Sequence, residues 1–156
     1  MPIQLPDMDL CYFCQIRDGA IERWSVIEQT RLTFTVLNVR QFEIGQCIVV
    51  PVRHAPTLLD LKPEEDAAIM AAARRVAQAM VTVFDPDGVL LYQNNGVGSG
   101  QEVPHFHLHV VPRRRGSAWG LGPPHLARLE QRGAQFDHTR VDDEKRQTAE
   151  MLRSAF

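Results

Sequence analysis

The chain has 156 residues, of which 44% are hydrophobic and 23% charged, which suits one globular domain with a buried core. Its formal net charge of −2 argues against a broad nucleic-acid-binding surface, which is normally strongly basic. The sequence contains no run of 18 apolar residues, no secretory signal at its start, and an odd number of cysteines, three. We therefore expect one cytoplasmic domain that contacts neither a membrane nor a nucleic acid polymer.

Two cysteines stand three positions apart near the N-terminus, at Cys11 and Cys14. Such a pair can be half of a zinc site, a redox pair, or a pair without function. A redox pair is typically preceded by a strand and set in a βαβ unit, whereas only a short segment precedes this one. A zinc site would need two further ligands from elsewhere in the chain, preferably histidines.

Three β-prone runs follow the cysteines. Residues 24–28 and 32–39 predict a hairpin, and the continuous apolar run 47–51 predicts a strand buried on both faces. Asn38 ends the second run, where a turn-forming residue is typical. His54 follows the third run, and it is an ordinary surface residue unless the fold brings it near the two cysteines.

Two helices and one further strand are predicted beyond this region. Residues 63–84 predict a long helix, because Pro63 suits the first helical position and three acidic residues follow it. Its predicted core-facing residues are Ile69, Met70, Ala73, Val76, Ala77, Met80, Val81 and Phe84. Residues 89–93 predict a strand. A last helix is predicted from about Asp142 to Phe156, with an apolar stripe of Ala149, Leu152, Ala155 and Phe156.

A loop with three glycines, residues 94–101, follows the predicted strand. Such a loop either presents several backbone N–H groups to an anion or is simply a flexible hairpin connection. It leads directly towards His107, so a phosphate held by the loop would lie beside that histidine. The three arginines at 113–115 either form a solvated charged run or help to attract a polyphosphate.

The segment 105–111 alternates three histidines with apolar residues. This alternation predicts a strand in which His105, His107 and His109 share one face and the apolar residues share the other. At about 3.3 Å per residue, neighbouring histidines would lie roughly 6–7 Å apart. Histidine serves as base, nucleophile or metal ligand near neutral pH, so three histidines on one face indicate a functional site.

These motifs together resemble the histidine-triad (HIT) superfamily, whose signature is His-φ-His-φ-His-φ-φ, with φ an apolar residue. Residues 105–111 fit every position of the signature, the loop before them resembles that of bacterial members, and residues 48–61 resemble a second conserved block. The resemblance covers about residues 9–115. It implies a single α+β domain over 1–156 with an antiparallel sheet of about five strands, one long helix and a C-terminal helix, commonly as a homodimer; residues 116–156 would be a C-terminal extension.

The resemblance also implies roles for individual residues. His107 would be the nucleophile, and His109 would lie at the bridging atom of the leaving group. Asn38 would bind the ribose of the nucleotide. The full nucleotide-binding set would be Asn38, Asn94, Gly100, Gln101, Glu102, Val103, His107 and His109. In related proteins with the cysteine pair, structural zinc is held by positions that match Cys11, Cys14, His54 and His105.

Two residues depart from the family pattern. Gln46 stands where many members have a histidine, and Glu102 stands where many have serine or threonine. A carboxylate at position 102 would repel a polyphosphate or contact an amine. These departures bear on the identity of the substrate rather than on the class of reaction.

The resemblance implies a hydrolase that cleaves a phosphoramidate or phosphoanhydride at the α-phosphorus of an adenine nucleotide, through a nucleotidyl-histidine intermediate. The substrate would be a purine mononucleotide or dinucleotide, of the adenosine phosphoramidate or diadenosine polyphosphate type. His109 favours hydrolysis, because the nucleotidyltransferase branch resembles His-x-His-x-Gln. The alternative is a nucleotide-binding or zinc-stabilised interaction protein with little turnover, although binding alone does not require a free nucleophile.

Overall fold

The computed structural model describes residues 3–117 and 142–156. Within them, five strands form one antiparallel sheet, in the spatial order β1-β2-β3-β5-β4. The strands are β1 Val26–Gln29, β2 Thr33–Leu37, β3 Cys47–Pro51, β4 Gly88–Tyr92 and β5 Leu108–Arg113. The α-helices are α1 Tyr12–Arg17, α2 Pro63–Phe84 and α3 Asp142–Ser154. The predicted fold class is therefore confirmed, whereas residues 118–141, most of the predicted C-terminal extension, lie outside the described residues.

The sheet is covered on both faces by helices. On one face, α2 and α3 pack against apolar residues that include Val49, Leu108 and Val110. On the other face, α1 contributes Phe13 and Ile16 to a second apolar cluster. Because β3 lies in the middle of the sheet and is covered on both faces, all five of its residues are buried, as its continuous apolar sequence predicts.

The long helix α2 has the predicted bounds, but its buried face differs from the predicted one. Met70 and Val81 are 57% and 54% exposed, whereas Ala72 and Ala79 are almost completely buried. The sheet comes close to α2, so that small residues fill the contact and the larger apolar residues beside it stay exposed. By length and mean hydropathy the helix would also suit a membrane span, but its buried face is used in packing against β2, β3, β5 and α3.

Most strand boundaries differ from prediction by one or two residues, and two larger differences bear on the core and the site. Phe156 lies beyond the end of α3 and is 45% exposed, so it is not part of the buried stripe. Strand β5 begins at Leu108, so His105 and His107 lie in the segment before it. The reason is that this segment leaves the sheet: the N–H of Phe106 donates to the carbonyl of Ala55, in the loop that follows β3.

A buried carboxylate fastens that same loop to the start of α2. Glu65 accepts two hydrogen bonds from the guanidinium of Arg53, at 2.9 and 2.6 Å, and one from the backbone N–H of Lys62. Its side chain is only 4% exposed. Arg53 immediately precedes His54, so the position of that histidine depends on this ion pair.

We expect Glu65→Ala to lower the free energy of unfolding by about 1–3 kcal/mol, because several hydrogen bonds to a charged group are lost in a buried place. Asp66→Ala is the matched control, since Asp66 is an exposed acidic residue in the same helical turn. Chemical denaturation of both variants measures the difference. Equal losses for the two variants would show that only the charge at the helix start matters.

Candidate functional site

Four side chains converge where α1 meets the segment before β5. The Sγ of Cys11 lies 3.3 Å from Nδ1 of His105, and the Sγ of Cys14 lies 3.6 Å from the same nitrogen. The Sγ of Cys14 also lies 3.5 Å from Nδ1 of His54. The ligand atoms of all four residues lie within 4.8 Å of one another. The structure thus brings together all four residues that the resemblance groups as metal ligands, in a cluster that could hold a metal ion.

The orientation of His105 suits a metal ligand. Its Nε2 lies 3.0 Å from the carbonyl of Pro51, and a carbonyl can only accept, so Nε2 carries the proton. Nδ1 therefore directs its lone pair towards the two cysteines. Burial, which disfavours the charged form, is the main cause that lowers the pKa of His105 to about 4. The pKa of the Cys14 thiol is raised to about 11, chiefly by burial and then by its hydrogen bond with Cys11.

His107 has the opposite proton arrangement. Its Nδ1 lies 2.7 Å from the backbone carbonyl of His105, so Nδ1 carries the proton and Nε2 has a free lone pair. Nε2 has no hydrogen-bond partner in the part of the chain that the structure describes. The ring of Phe13 packs against the imidazole, with 5.1 Å between ring centres. Burial lowers the pKa of His107, so the ring is neutral and can act as a nucleophile or a base.

His109 is held between two neighbouring strands and the residue before β3. Its ring is stacked on Tyr92, with 4.3 Å between ring centres and an angle of 10° between the planes. Its Nδ1 lies 3.1 Å from Nε2 of Gln46. His107 packs against it edge to face at 5.1 Å. Burial is the first cause, and His107 the second, that lowers the pKa of His109 to about 3.

The loops at the mouth of the site carry two more of the predicted residues. The Oδ1 of Asn38 accepts a hydrogen bond of 2.9 Å from the N–H of Arg40, so Asn38 does form a turn. The Arg40 guanidinium lies 3.5 Å from the Glu102 carboxylate, and both side chains are exposed. The pKa of His107 is lowered by burial, against which its hydrogen bond to the His105 carbonyl and then the charge of Glu102 act to raise it.

The glycine-containing loop is held together by its own polar side chains. The Nδ2 of Asn94 donates to the carbonyl of Gly100 at 3.3 Å. Gln101 is buried; its Oε1 accepts from the N–H of Gly96, and its Nε2 donates to the carbonyls of Pro56 and Val103. Both ends of the Gln101 side chain thus bond within the fold, and its backbone N–H donates to the carbonyl of Gly96.

Three contacts of the histidines were not assigned from the sequence: Phe13 against His107, and Tyr92 and Gln46 against His109. Tyr92 stands directly opposite His109 in the register of β4 and β5. The register of the two strands is the signal that would have identified it, and the sequence alone does not fix this register.

Comparison with known proteins identifies the family. A family model described as the HIT domain matches residues 22–116, more than half of the chain. The chain is 32% identical to the bis(5'-nucleosyl)-tetraphosphatase (asymmetrical) of Schizosaccharomyces pombe, over 74% of this chain and 58% of that protein. It is 35% identical to an adenosine 5'-monophosphoramidase of Saccharomyces cerevisiae, over 67% of this chain and 63% of that protein. The chain thus spans less than two thirds of the length of these two relatives.

A solved structure is similar over almost the whole chain. It is a Zn-bound histidine triad family protein from Mycobacterium smegmatis, 29% identical, with a TM-score of 0.74 over 93% of this chain and 91% of that one. Together with the family match, this similarity agrees with the arrangement of the sheet, the long helix and the C-terminal helix described above.

The low pKa of His109 predicts a pH-dependent stability. In the unfolded chain His109 is protonated below its ordinary pKa of about 6.5, whereas in the folded chain it is protonated only below about pH 3. Between these values the unfolded state binds one more proton, so the free energy of unfolding falls as the pH drops. The slope contributed by this histidine is about 1.4 kcal/mol per pH unit. Between pH 6 and 4.5 we expect His109→Gln to show a shallower loss of stability than the wild type, by about this slope. Parallel curves in urea denaturation would contradict a buried neutral His109.

Proposed function

The chain belongs to the HIT domain family, and on that premise we propose that it is a nucleotide hydrolase. It would cleave a phosphoramidate or phosphoanhydride bond at the α-phosphorus of an adenine nucleotide. The observation that carries the proposal is the state of His107: a neutral, buried imidazole whose Nδ1–H is fixed on a backbone carbonyl and whose Nε2 lone pair has no partner among the described residues. Relatives named as a nucleoside tetraphosphatase and an adenosine monophosphoramidase support the same class of substrate.

The proposed reaction proceeds in two steps. The Nε2 of His107 attacks the α-phosphorus, a P–N bond forms, and the bond from phosphorus to the leaving group breaks. A neutral imidazole suits this attack, because it carries no negative charge that would repel the phosphate oxygens. Water then attacks the nucleotidyl-histidine, which releases the mononucleotide and restores the imidazole. His109 would lie at the bridging atom of the leaving group.

The proposed nucleotide contacts surround His107. The backbone N–H groups of Glu102 and Val103 would stabilise charge on the non-bridging oxygens, in the way of an oxyanion hole, because those of Gly100 and Gln101 already donate to the carbonyls of Val97 and Gly96. Asn94 lies on this loop and would contact the phosphate. The amide of Asn38 would bind the ribose; its Oδ1 has its turn partner, and its Nδ2 has none within residues 3–117 and 142–156.

We propose that the four-residue cluster holds one structural zinc ion. In a tetrahedral site with Zn–S near 2.3 Å and Zn–N near 2.05 Å, a sulfur and a nitrogen lie about 3.6 Å apart. Three of the four sulfur–nitrogen distances in the cluster are 3.3, 3.5 and 3.6 Å, and all four ligand atoms lie within 4.8 Å of one another, so the donors present fit this ion. The Nε2–H of His105 on the Pro51 carbonyl is the kind of outer contact that orients a ligating histidine. Zinc would tie α1 to the segment that carries His107.

Purified chain is expected to contain one zinc per molecule, and Cys14→Ser is expected to lose most of it and to unfold at a lower temperature. Cys47→Ser is the control, because Cys47 is a buried thiol in the other apolar core, apart from the cluster. Elemental analysis and thermal unfolding of the three proteins measure the effect. Zinc-free wild-type protein prepared without chelator would contradict the proposal, and so would equal zinc loss in both variants.

Glu102 bears on which of the two bonds is cleaved. A carboxylate near His107 repels the extra phosphates of a polyphosphate leaving group and attracts an amine, which favours a phosphoramidate substrate. The pairing of Glu102 with Arg40 reduces this effect, because the two charges partly cancel. Both substrate types therefore belong in the test.

We expect the wild-type chain to release AMP from adenosine phosphoramidate or from diadenosine polyphosphates, and His107→Ala to reduce this release to background, because the attacking nitrogen is lost. Nucleotide binding, measured by calorimetry, should survive in the variant. A His107→Ala variant with near-normal turnover would remove His107 as the nucleophile. Nucleotide binding without AMP release from any substrate would instead favour the alternative, a nucleotide-binding or zinc-stabilised interaction protein.

We further propose that the chain forms a homodimer in the cytoplasm and contacts neither membranes nor nucleic acid polymers. The homodimer rests on the family resemblance. The expectation about nucleic acid rests on the net charge of −2. The mass of the chain in solution, by light scattering, tests the dimer directly.

A further inference from the structure

Gln46 is a buried amide whose orientation is fixed by its neighbours. It stands immediately before β3 and is only 1% exposed. Its Oε1 accepts a hydrogen bond of 3.2 Å from the backbone N–H of Phe42. Because that N–H can only donate, the other end of the amide, Nε2, must point the opposite way. There it lies 3.3 Å from the hydroxyl of Tyr92 and 3.1 Å from Nδ1 of His109.

An amide nitrogen can only donate, so Nδ1 of His109 must accept. The neutral ring of His109 therefore carries its proton on Nε2. The ring cannot easily turn over, because Tyr92 is stacked on one side at 4.3 Å and His107 packs against it at 5.1 Å. Its Nε2–H has no hydrogen-bond partner in the described ranges 3–117 and 142–156.

His107 and His109 therefore present complementary groups. Nε2 of His107 is a free acceptor with a lone pair, and Nε2 of His109 is a free donor with a proton. We propose that Gln46 is a positioning residue that holds the proton of His109 on Nε2, so that His109 serves the reaction as a neutral hydrogen-bond donor to the substrate. The inference rests on the proposed function and extends it to a residue outside the triad.

The charges around His109 agree with a neutral donor. The titratable groups packed against it are His107, from the same segment, and Tyr92, from β4. Among the described residues, no carboxylate forms a hydrogen bond or ion pair with His109, whose polar partner is the Gln46 amide. The partner of Nδ1 is the neutral amide of Gln46, which does not favour protonation of this nitrogen, whereas a carboxylate in its place would stabilise a proton on Nδ1.

The first test determines which ring nitrogen of His109 carries the proton. Two-bond ¹H–¹⁵N spectra of the zinc-loaded wild-type chain distinguish the Nε2–H ring from the Nδ1–H ring and from the doubly protonated ring. We expect His109 to be neutral with its proton on Nε2 from pH 6 to pH 9. A proton on Nδ1, or a mixture of both forms, would overturn the proposal whether or not the chain turns over a nucleotide.

The second test is Gln46→Glu, a change of nearly the same shape that replaces the donor by an acceptor. At pH 9 the proton of His109 should move to Nδ1, the donor to the substrate should be lost, and kcat should fall by about 100-fold, the usual effect of losing one such donor. At pH 6 one more proton binds, either to the new carboxylate or to the ring of His109, and Nε2 of His109 is protonated in both cases. We therefore expect kcat to return to within about tenfold of the wild type. KM should change little.

Gln41→Glu is the matched control. Gln41 lies in the same loop, its Oε1 accepts from the N–H of Gly45, and a carboxylate can keep that bond. Its kcat should follow the wild type at every pH. A constant ratio of Gln46→Glu to wild type from pH 6 to 9, or the same pH-dependent loss in Gln41→Glu, would overturn the proposal. If Gln46→Glu does not fold, the wild-type spectrum alone tests whether the proton of His109 is on Nε2. If the wild type shows no turnover, that result counts against the proposed function, and the spectrum still tests the role of Gln46.

Discussion

The hydrogen bond of 2.7 Å from Nδ1 of His107 to the carbonyl of His105 is the contact on which the geometry of the site depends. This bond fixes the direction of Nε2 of His107, provided that the backbone at His105 is itself held in place. That backbone is held by the His105 side chain, which lies between the Pro51 carbonyl and the two cysteines, and by the bond from Phe106 to Ala55. The cluster at α1 therefore acts on His107 through position and not through charge.

The three histidines of the triad stand two residues apart, His105 and His107 buried and His109 half-buried, and each has a different partner at Nδ1. In His105, Nδ1 faces sulfur and is free to bind a metal; in His107, it donates to a carbonyl; in His109, it accepts from an amide. Burial lowers the pKa of all three rings. In His107 and His109 the partner at Nδ1 decides whether Nε2 carries a proton, whereas in His105 the carbonyl at Nε2 leaves Nδ1 with its lone pair. Three chemically identical side chains thus obtain three different roles from their surroundings.

Periodicity and the alternation of side chains were enough to predict the five strands, the long helix and the C-terminal helix, but not α1. They also placed all three histidines on one strand, whereas β5 begins at Leu108. The bounds of α2 followed from Pro63 and the length of the apolar pattern. The sequence did not indicate that Ala72 rather than Met70 is buried, because that depends on how closely the sheet approaches the helix. Nor did it indicate the partner of His109: Gln46 and Tyr92 reach this ring only through strand register and loop shape, which are properties of the folded chain.

Strand pairing holds the backbone at His109 but not at His107. His109 stands opposite Ile48 of β3 and Tyr92 of β4, so the sheet holds its backbone from both sides. The pairing with β3 ends at Leu108, so His107 lies just beyond the paired part of the sheet, where the N–H of Phe106 already bonds to a loop. The sheet thus fixes the backbone of His109. His107, the proposed nucleophile, lies where the strands end, in the segment that follows the glycine-containing loop.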